Sequence, residues 1–399
     1  MSLGRTFSAW LLASALFGCA GVSPDPSQAS IDDLPEVTLS PEDQDQCEAL
    51  EQDAVDAVVR LRYEQAGEIA DRVLALNPRS AKARAVRGMV RLQLAAKDKP
   101  TDWYGARAGE VELELARQLE PDSAFVGWMH AVFLAESGHM SAAAQAAEEA
   151  LVRSAAAPAA ERAALLGTAA TYRYELGEER AARPHLEAYV ALRPDDAAAF
   201  FRLGASLLSI AKTPQGSPPP YVTSQRDAEQ AAAAFGKCYA LKPRDEDAAL
   251  AMSAAWLRAA ELAELQSKPA ERDELRARAV EHLNGLATTF PGNAEVHFRL
   301  GVLATMQQDA KAARAAYVAA LARDEGHVGS LMNLAALVAA AGEVDQAKAF
   351  YARLLAAPGA SIELSRRERE RIEKWLLEIS KPAGDAGAEE QADPGRDPA

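Results

Sequence analysis

Cysteine, histidine and carboxylate side chains are where chemistry would begin in this chain, and their spacing decides which chemistry. A catalytic thiol needs a base beside it to form the thiolate. Cys47 and Cys238 instead fall at helix-packing spacings, and nothing in the sequence supplies such a base. His130, His139, His185, His282, His297 and His327 are scattered, with no i,i+4 pair and no HExxH. A zinc site would show two such ligands on one helical face. There is no phosphate-binding glycine loop and no GxSxG elbow. Acidic pairs such as Glu148-Glu149 and Glu178-Glu179 lie in helix-forming sequence and read as solvated helix faces rather than acid–base pairs. The chain is therefore expected to hold no catalytic residue, no metal and no cofactor, and not to be an enzyme. Cys19 stands apart, directly behind an apolar run at 9–17 and Gly18.

Arg5 and the α-amine give the N-terminus a positive start, and the apolar run after them is about half of the roughly 20 residues needed to span a bilayer. Residues 1–18 read as a secretory signal. The stretch Leu16-Phe17-Gly18-Cys19 resembles the lipobox of bacterial lipoproteins, with Leu at −3, a small residue at −1, and a cysteine that is acylated, for instance with palmitate, and becomes the new N-terminus. Phe17 departs from the small or β-branched residue usual at −2, and the alternatives are a plain signal peptide cut elsewhere or a cytosolic protein with an apolar start. The resemblance implies lipidation at Cys19. Ala20, in place of Asp, implies sorting to the outer membrane, with the protein held by its acyl anchor on the periplasmic face. Each buried CH₂ of such an anchor contributes about 0.8 kcal/mol.

The remaining composition is helical. Alanine, leucine, glutamate and arginine dominate, aromatics make up 6%, and strand-like runs of β-branched residues are missing. A net charge of -15 disfavours nucleic acid as a partner. The densest basic stretch, 365–371, is interrupted by Glu368 and Glu370 and reads as a solvated helix with i,i+4 ion pairs. Residues 19–42 and 382–399 are rich in proline or acid and lack helical periodicity; they are expected to be a flexible tether and a disordered acidic tail.

Between them one pattern recurs: Ala66-Ala70-Val73-Pro78, Gly109-Leu113-Ala116-Pro121, Ala182-Leu186-Tyr189-Pro194, Ala231-Phe235-Cys238-Pro243 and Ala279-Leu283-Leu286-Pro291. It returns without proline at Ala143, Ala313 and Ala347. The lead residues at 279, 313 and 347 are 34 apart. A partner pattern precedes the unit, as in Phe200-x-x-Leu203-Gly204-x-x-Leu207, His297-x-x-Leu300-Gly301-x-x-Ala304 and Leu331-x-x-Leu334-Ala335-x-x-Val338. Spacings of three and four put these residues on one helical face, small residues let two helices approach, and proline ends the second helix. Gly138, Gly177 and Gly342 fall where a turn should join the two helices.

A 34-residue helix–turn–helix unit with these residues resembles the tetratricopeptide repeat. The resemblance implies an all-α fold: a right-handed superhelical solenoid of about eight repeats over 43–361, closed by a C-terminal capping helix at 362–381. The longer spacings, 43 from Ala66 to Gly109, 49 from Ala182 to Ala231 and 48 from Ala231 to Ala279, are expected as loops inserted between the two helices of a unit. In a solenoid only neighbouring units touch, so Cys47 and Cys238 should be too far apart for a disulfide.

The same resemblance implies a protein-binding groove lined by the first helices. Carried over by position it comprises Phe125, Trp128 and Val132, Phe201 and Leu208, then Phe298, Val302, Met306 and Met332. Such side chains suit an apolar or amphipathic peptide of an envelope protein; equally, superhelical curvature would bury them against neighbouring helices. The function expected is a non-enzymatic interaction scaffold that assists an envelope complex of pilus or secretion, motility or outer-membrane machinery. The alternatives are a lipid or lipoprotein carrier, or an enzyme with an unfamiliar site in an insertion loop.

Overall fold

Proline two residues before a Ser, Asp or Asn is the local signal that starts hairpin after hairpin: Pro78 before Ser80, Pro121 before Ser123, Pro194 before Asp196, Pro243 before Asp245 and Pro291 before Asn293. The ring stops one helix, and the polar residue accepts a backbone N–H of the next. In the computed structural model, which describes residues 29–98, 103–213 and 220–380, each of these five side chains caps a helix. The signal at 1–18, Cys19 and the tail at 382–399 lie outside the described residues.

Two compact units divide the chain, Met1–Thr213 with Lys237–Pro243, and Pro214–Gly236 with Arg244–Ala399. The first holds α1 (Pro41–Val59), α2 (Tyr63–Leu76), α3 (Ala81–Asp98), α4 (Trp103–Leu119), α5 (Ala124–Glu136), α6 (Met140–Arg153), α7 (Ala159–Glu175), α8 (Glu179–Leu192) and α9 (Ala197–Lys212). Helix α10 (Tyr221–Leu241) contributes residues to both units. The second unit continues with α11 (Glu246–Leu265), α12 (Pro269–Thr289), α13 (Ala294–Met306), α14 (Ala310–Leu321), α15 (Val328–Ala340), α16 (Val344–Ala356), the single turn α17 (Ala360–Glu363) and α18 (Arg366–Ser380). Among the described residues there is no strand.

Within a unit each hairpin packs on the next. The second helix of one hairpin lies against the first of the following one, as α2 does on α3, α6 on α7 and α14 on α15. The first helices also touch one another, α1 with α3, α3 with α5 and α5 with α7, and so form a row from α1 to α7 in the first unit; in the second, α13 touches α15. Small residues make the close approaches. Gly88 of α3 faces Gly109 of α4, and a Cβ on either would stand 2.6–2.7 Å from the other's carbonyl oxygen. Gly301 of α13 leaves room for the fully buried ring of Tyr317 on α14.

Gly138, Gly177 and Gly342 do make left-handed turns, at φ +83, +72 and +80. Leu61, Ser267 and Gln308 make the same turn in other hairpins, at φ 59, 58 and 61, without being glycine. The hydrogen bonding is shared: Arg62 N–H donates to the Ala57 carbonyl as His139 N–H donates to that of Leu134, closing a Schellman motif. A side chain in this region costs about 1–2 kcal/mol, part of which glycine returns through its freer unfolded chain. Leu61, at 69% exposure, and the exposed Gln308 have little packing to lose. Leu61→Gly and Gln308→Gly are each expected to stabilise the protein by roughly 0.5–1 kcal/mol in denaturant titration; a loss of stability would show the turn is not strained.

One expectation is corrected. The surplus between Ala231 and Ala279 is not a loop, because α11 and α12 are 20 and 21 residues long and are joined by only residues 266–268. Regular hairpins such as α13 and α14 use 13 and 12 residues. About two turns have been added to each helix, which returns nearly to the same face and so preserves the packing stripe. Most of the surplus between Ala66 and Gly109 is likewise helix, since α3 and α4 have 18 and 17 residues, and so is part of that between Ala182 and Ala231, since α10 has 21.

The described end of the expected tether is also ordered against the body. The carbonyl of Ala29 accepts from Gln118 Nε2 (3.0 Å), residues 31–33 form a 3-10 turn capped by Ser30, and Leu39 packs on the core of the first unit. At the other end α18 closes the array. Ser365 and Glu368 form a reciprocal capping box, Ile372 is buried, and the Trp375 ring meets Tyr351 edge-on at 5.1 Å. Arg366 pairs with Glu370 one turn on (2.7 Å).

Candidate functional site

Helix α5 is apolar on nearly every side, so both of its faces are used. Phe125, Met129 and Phe133, four residues apart, enter the core, while Trp128 and Val132 pack half-buried against it. Phe125 is only 7% exposed and meets Trp128 edge-on, with ring centroids 6.0 Å apart. Trp128 is half-buried, and its indole N–H donates to Thr168 Oγ1 on α7 (3.0 Å). Val132 is half-buried beside them. On α9, Phe201 is half-buried and Leu208 is 8% exposed. Phe125 and Leu208 thus serve the helix packing, leaving Trp128, Val132 and Phe201 as the partly open side chains of the first unit.

In the second unit Phe298, Val302, Met306 and Met332 are all half-buried. Phe298 seats over Gly329 of α15, where an added Cβ would come within 2.8 Å of its ring. The ring also lies 5.0 Å from His327 and 6.1 Å from Tyr317. Tyr317 is itself fixed, its hydroxyl bonded to Thr305 Oγ1 (2.9 Å) and Asn333 Nδ2 (3.2 Å). Met306 lines an open cleft of about 430 Å³ with Arg272, Asp273, Arg276, Ala277, Gln307 and Gln308. Five of these seven lining residues carry charged or amide side chains, unlike the lining of a lipid cavity.

The ionisable groups join helices. Arg173 of α7 bonds Glu148 of α6 (2.6 Å) and Glu178 (2.6 Å), and His185 of α8 reaches the same Glu148 (3.0 Å). The Arg173 hydrogen bond holds the Glu148 carboxyl below its ordinary range, against the opposing effect of burial and with help from His185. Burial raises Glu295, but bonds from His327 and Arg299 outweigh it and leave its pKa lowered. Arg84, Arg87 and Arg91 of α3 converge on Glu112 of α4 at 2.7, 2.6 and 3.1 Å, with Arg84 and Glu112 buried. This cluster escapes a reading that assigns charges to solvated faces; the signal was arginine at i, i+3 and i+7 on the packing stripe. None of these groups stands beside an activated nucleophile. Among the described residues no cluster of His, Cys, Asp and Glu could hold a metal ion, and no helix is long and apolar enough to cross a membrane.

His130 of α5 is a half-buried titratable group with a sign to test. Burial first, and Arg117 second, push its pKa from 6.5 down to about 4. The unfolded chain then binds the extra proton between these values, so stability is complete above pH 6.5 and is lost as pH falls toward 4. The loss should approach about 3 kcal/mol at the acid end. Melting a His130→Gln variant beside the parent at pH 7 and 4.5 checks this, and an unchanged pH dependence in the variant would refute it.

No protein-family model and no curated protein matches the chain. Similar solved structures include PilF of Pseudomonas aeruginosa, 16% identical over 64% of this chain and 96% of that one, with a TM-score of 0.39. The C-terminal part of a TPR repeat-containing protein from Cytophaga hutchinsonii is 19% identical over 71% of this chain and 99% of that one, with a TM-score of 0.44. PilW, a type IV pilus biogenesis factor, is 16% identical over 61% and 94%, with a TM-score of 0.36. At these scores the likeness adds nothing to the chain's own geometry. That geometry, helical hairpins stacked in sequence with small residues where helices cross, is the tetratricopeptide-repeat fold.

Proposed function

We propose that this chain is a non-enzymatic interaction scaffold, lipid-anchored through Cys19 at the periplasmic face of the bacterial outer membrane, which helps to assemble or stabilise an envelope complex. What supports the proposal is the row of first helices α1 to α7 and the pair α13 and α15, where several of the side chains expected at groove positions, Trp128, Phe298 and Met332 among them, are half-buried and held by neighbouring helices. Such side chains bind apolar surface with little entropic cost, because their neighbours already hold them in place. The ligand expected is an apolar or amphipathic segment of an envelope protein belonging to pilus, secretion, motility or outer-membrane machinery.

Crosslinking in cells of a C-terminally tagged protein, with mass spectrometry of the envelope fraction, tests the role. Proteins of a single assembly should be recovered, and Cys19→Ala should release the chain from the membrane and lose them. A Trp128→Ala, Phe201→Ala double variant that keeps its helical circular dichroism should lose the same partners by at least tenfold. Unchanged recovery from that variant rules out the groove, and bound lipid or reproducible turnover in the purified protein would favour a carrier or an enzyme.

A further inference from the structure

The chain before α1 is placed by contacts that lie along one edge of the first unit. Ala29 is held by Gln118 at the C-terminal end of α4, and the 3-10 turn at 31–33 packs on the same helix. The strand of chain then passes Arg79, between α2 and α3, which bonds the Leu34 carbonyl (3.5 Å) and pairs with Glu36 (3.4 Å). Leu39 packs half-buried against the core, and Ser40 caps α1. All these partners sit where second helices end and first helices begin. The opposite edge carries the tight turns at Leu61, Gly138 and Gly177, one helix length away. For α1, with 19 residues, that length is about 28 Å.

We infer that this strap makes the edge bearing the inter-hairpin turns of the first unit its lipid-facing surface, an inference that rests on acylation at Cys19. From Cys19 to Ala29 there are ten residue steps, which span at most about 35 Å when fully extended. Were the strap undocked, the leash would run to Pro41 and reach about 80 Å. Docking cuts the reach by more than half and fixes the point from which it starts. A flexible chain of ten residues averages only about 16–19 Å end to end, short of the distance to the opposite edge, so an anchored molecule is drawn to the bilayer by this edge. Because the helices run from edge to edge, those of the first unit stand on end over the lipid, and the row of first helices faces sideways, open to a partner in the periplasm.

The chain from Cys19 onward, coupled through that thiol to maleimide-bearing phospholipid vesicles, provides the test without relying on cellular lipidation. Cys47 and Cys238, at 3% and 1% exposure, should not compete for coupling. A fluorescent amino acid replaces either the exposed Asp122, on the strap edge, or Leu61, on the opposite edge, and energy transfer to a dye at the bilayer surface is measured. Position 122 should transfer at least twofold more efficiently than position 61. Inserting roughly twenty Gly/Ser residues before Ala29 leaves the strap intact but restores a long leash, and should abolish the difference. Equal transfer from both positions, or stronger transfer from 61, overturns the inference. The mass of Cys19 in a bacterial membrane fraction decides separately whether the anchor forms: an unmodified thiol there would remove the proposed anchoring, whereas the vesicle result judges the strap.

Discussion

Glu112→Ala is expected to destabilise the α3–α4 hairpin by about 3–5 kcal/mol, a large effect for one surface-distant carboxylate. Its two oxygens are shared by three guanidiniums: Oε2 takes Arg84 at 2.7 Å, while Oε1 takes Arg87 at 2.6 Å and Arg91 at 3.1 Å. Arg84 also gives two hydrogen bonds to the Pro78 carbonyl, so it is locked inside the packing and cannot swing out to water when its counter-ion is removed. Burial already lowers the Arg84 pKa, with Glu112 among the influences opposing that shift. Arg87 would keep Asp71 at 3.4 Å, and the partly exposed Arg91 would rehydrate, so the cost concentrates at Arg84. Glu112→Gln should lose most of the same stability, because it keeps the shape and removes the charge. The double change Arg84→Met, Glu112→Leu should recover much of it, since an apolar pair of similar volume removes the need for compensation. Hydrogen exchange in α3 and α4, with denaturant unfolding of the full chain, measures all three. A loss under 1 kcal/mol in Glu112→Ala would mean that water already compensates Arg84.

That cluster also marks where the sequence stops being legible. Ala66, Ala143, Ala313 and Ala347 repeat a pattern whose period and small residues dictate helix pairs in tight contact, and so the hairpins could be read directly. Arginine at 84, 87 and 91 occupies the stripe where the pattern asks for apolar side chains, and only the facing helix reveals the carboxylate that permits it. Left-handed turns are visible as glycine at 138, 177 and 342, but at Leu61, Ser267 and Gln308 the hairpin imposes the turn on residues with no preference for it. An insertion near a whole number of heptads extends two helices as readily as it makes a loop, and α11 and α12 took the first course. For the groove, spacing assigns a residue to a face. How near the next helix comes decides whether Phe125 is covered while Trp128 stays half-open.

Gly88→Ala and Gly109→Ala should each cost about 3 kcal/mol, at the upper end of overpacking changes, although each adds one methyl to a helix. Alanine in a free helix position would stabilise by roughly 0.5–1 kcal/mol, so the sign itself is diagnostic. At Gly88 the new Cβ would lie 2.7 Å from the Gly109 carbonyl oxygen and 2.9 Å from Leu113 Cγ; at Gly109 it would lie 2.6 Å from the Gly88 oxygen. The obstacles are mainly backbone, which no rotamer change relieves, so α3 and α4 must move apart along their shared length. Moving them also stretches the Arg84–Glu112 bond, because the Glu112 Cβ is 3.4 Å from the position the Gly88 methyl would take. Gly88→Ala combined with Glu112→Ala should therefore cost less than the sum of the two. Gly285→Ala in α12 is the control: nothing lies within 4 Å of its Cβ, and it should gain the ordinary helical advantage. If Gly88→Ala and Gly285→Ala shift the denaturation midpoint alike, the α3–α4 crossing is looser than this packing requires, and the charge cluster beside it has room to admit water.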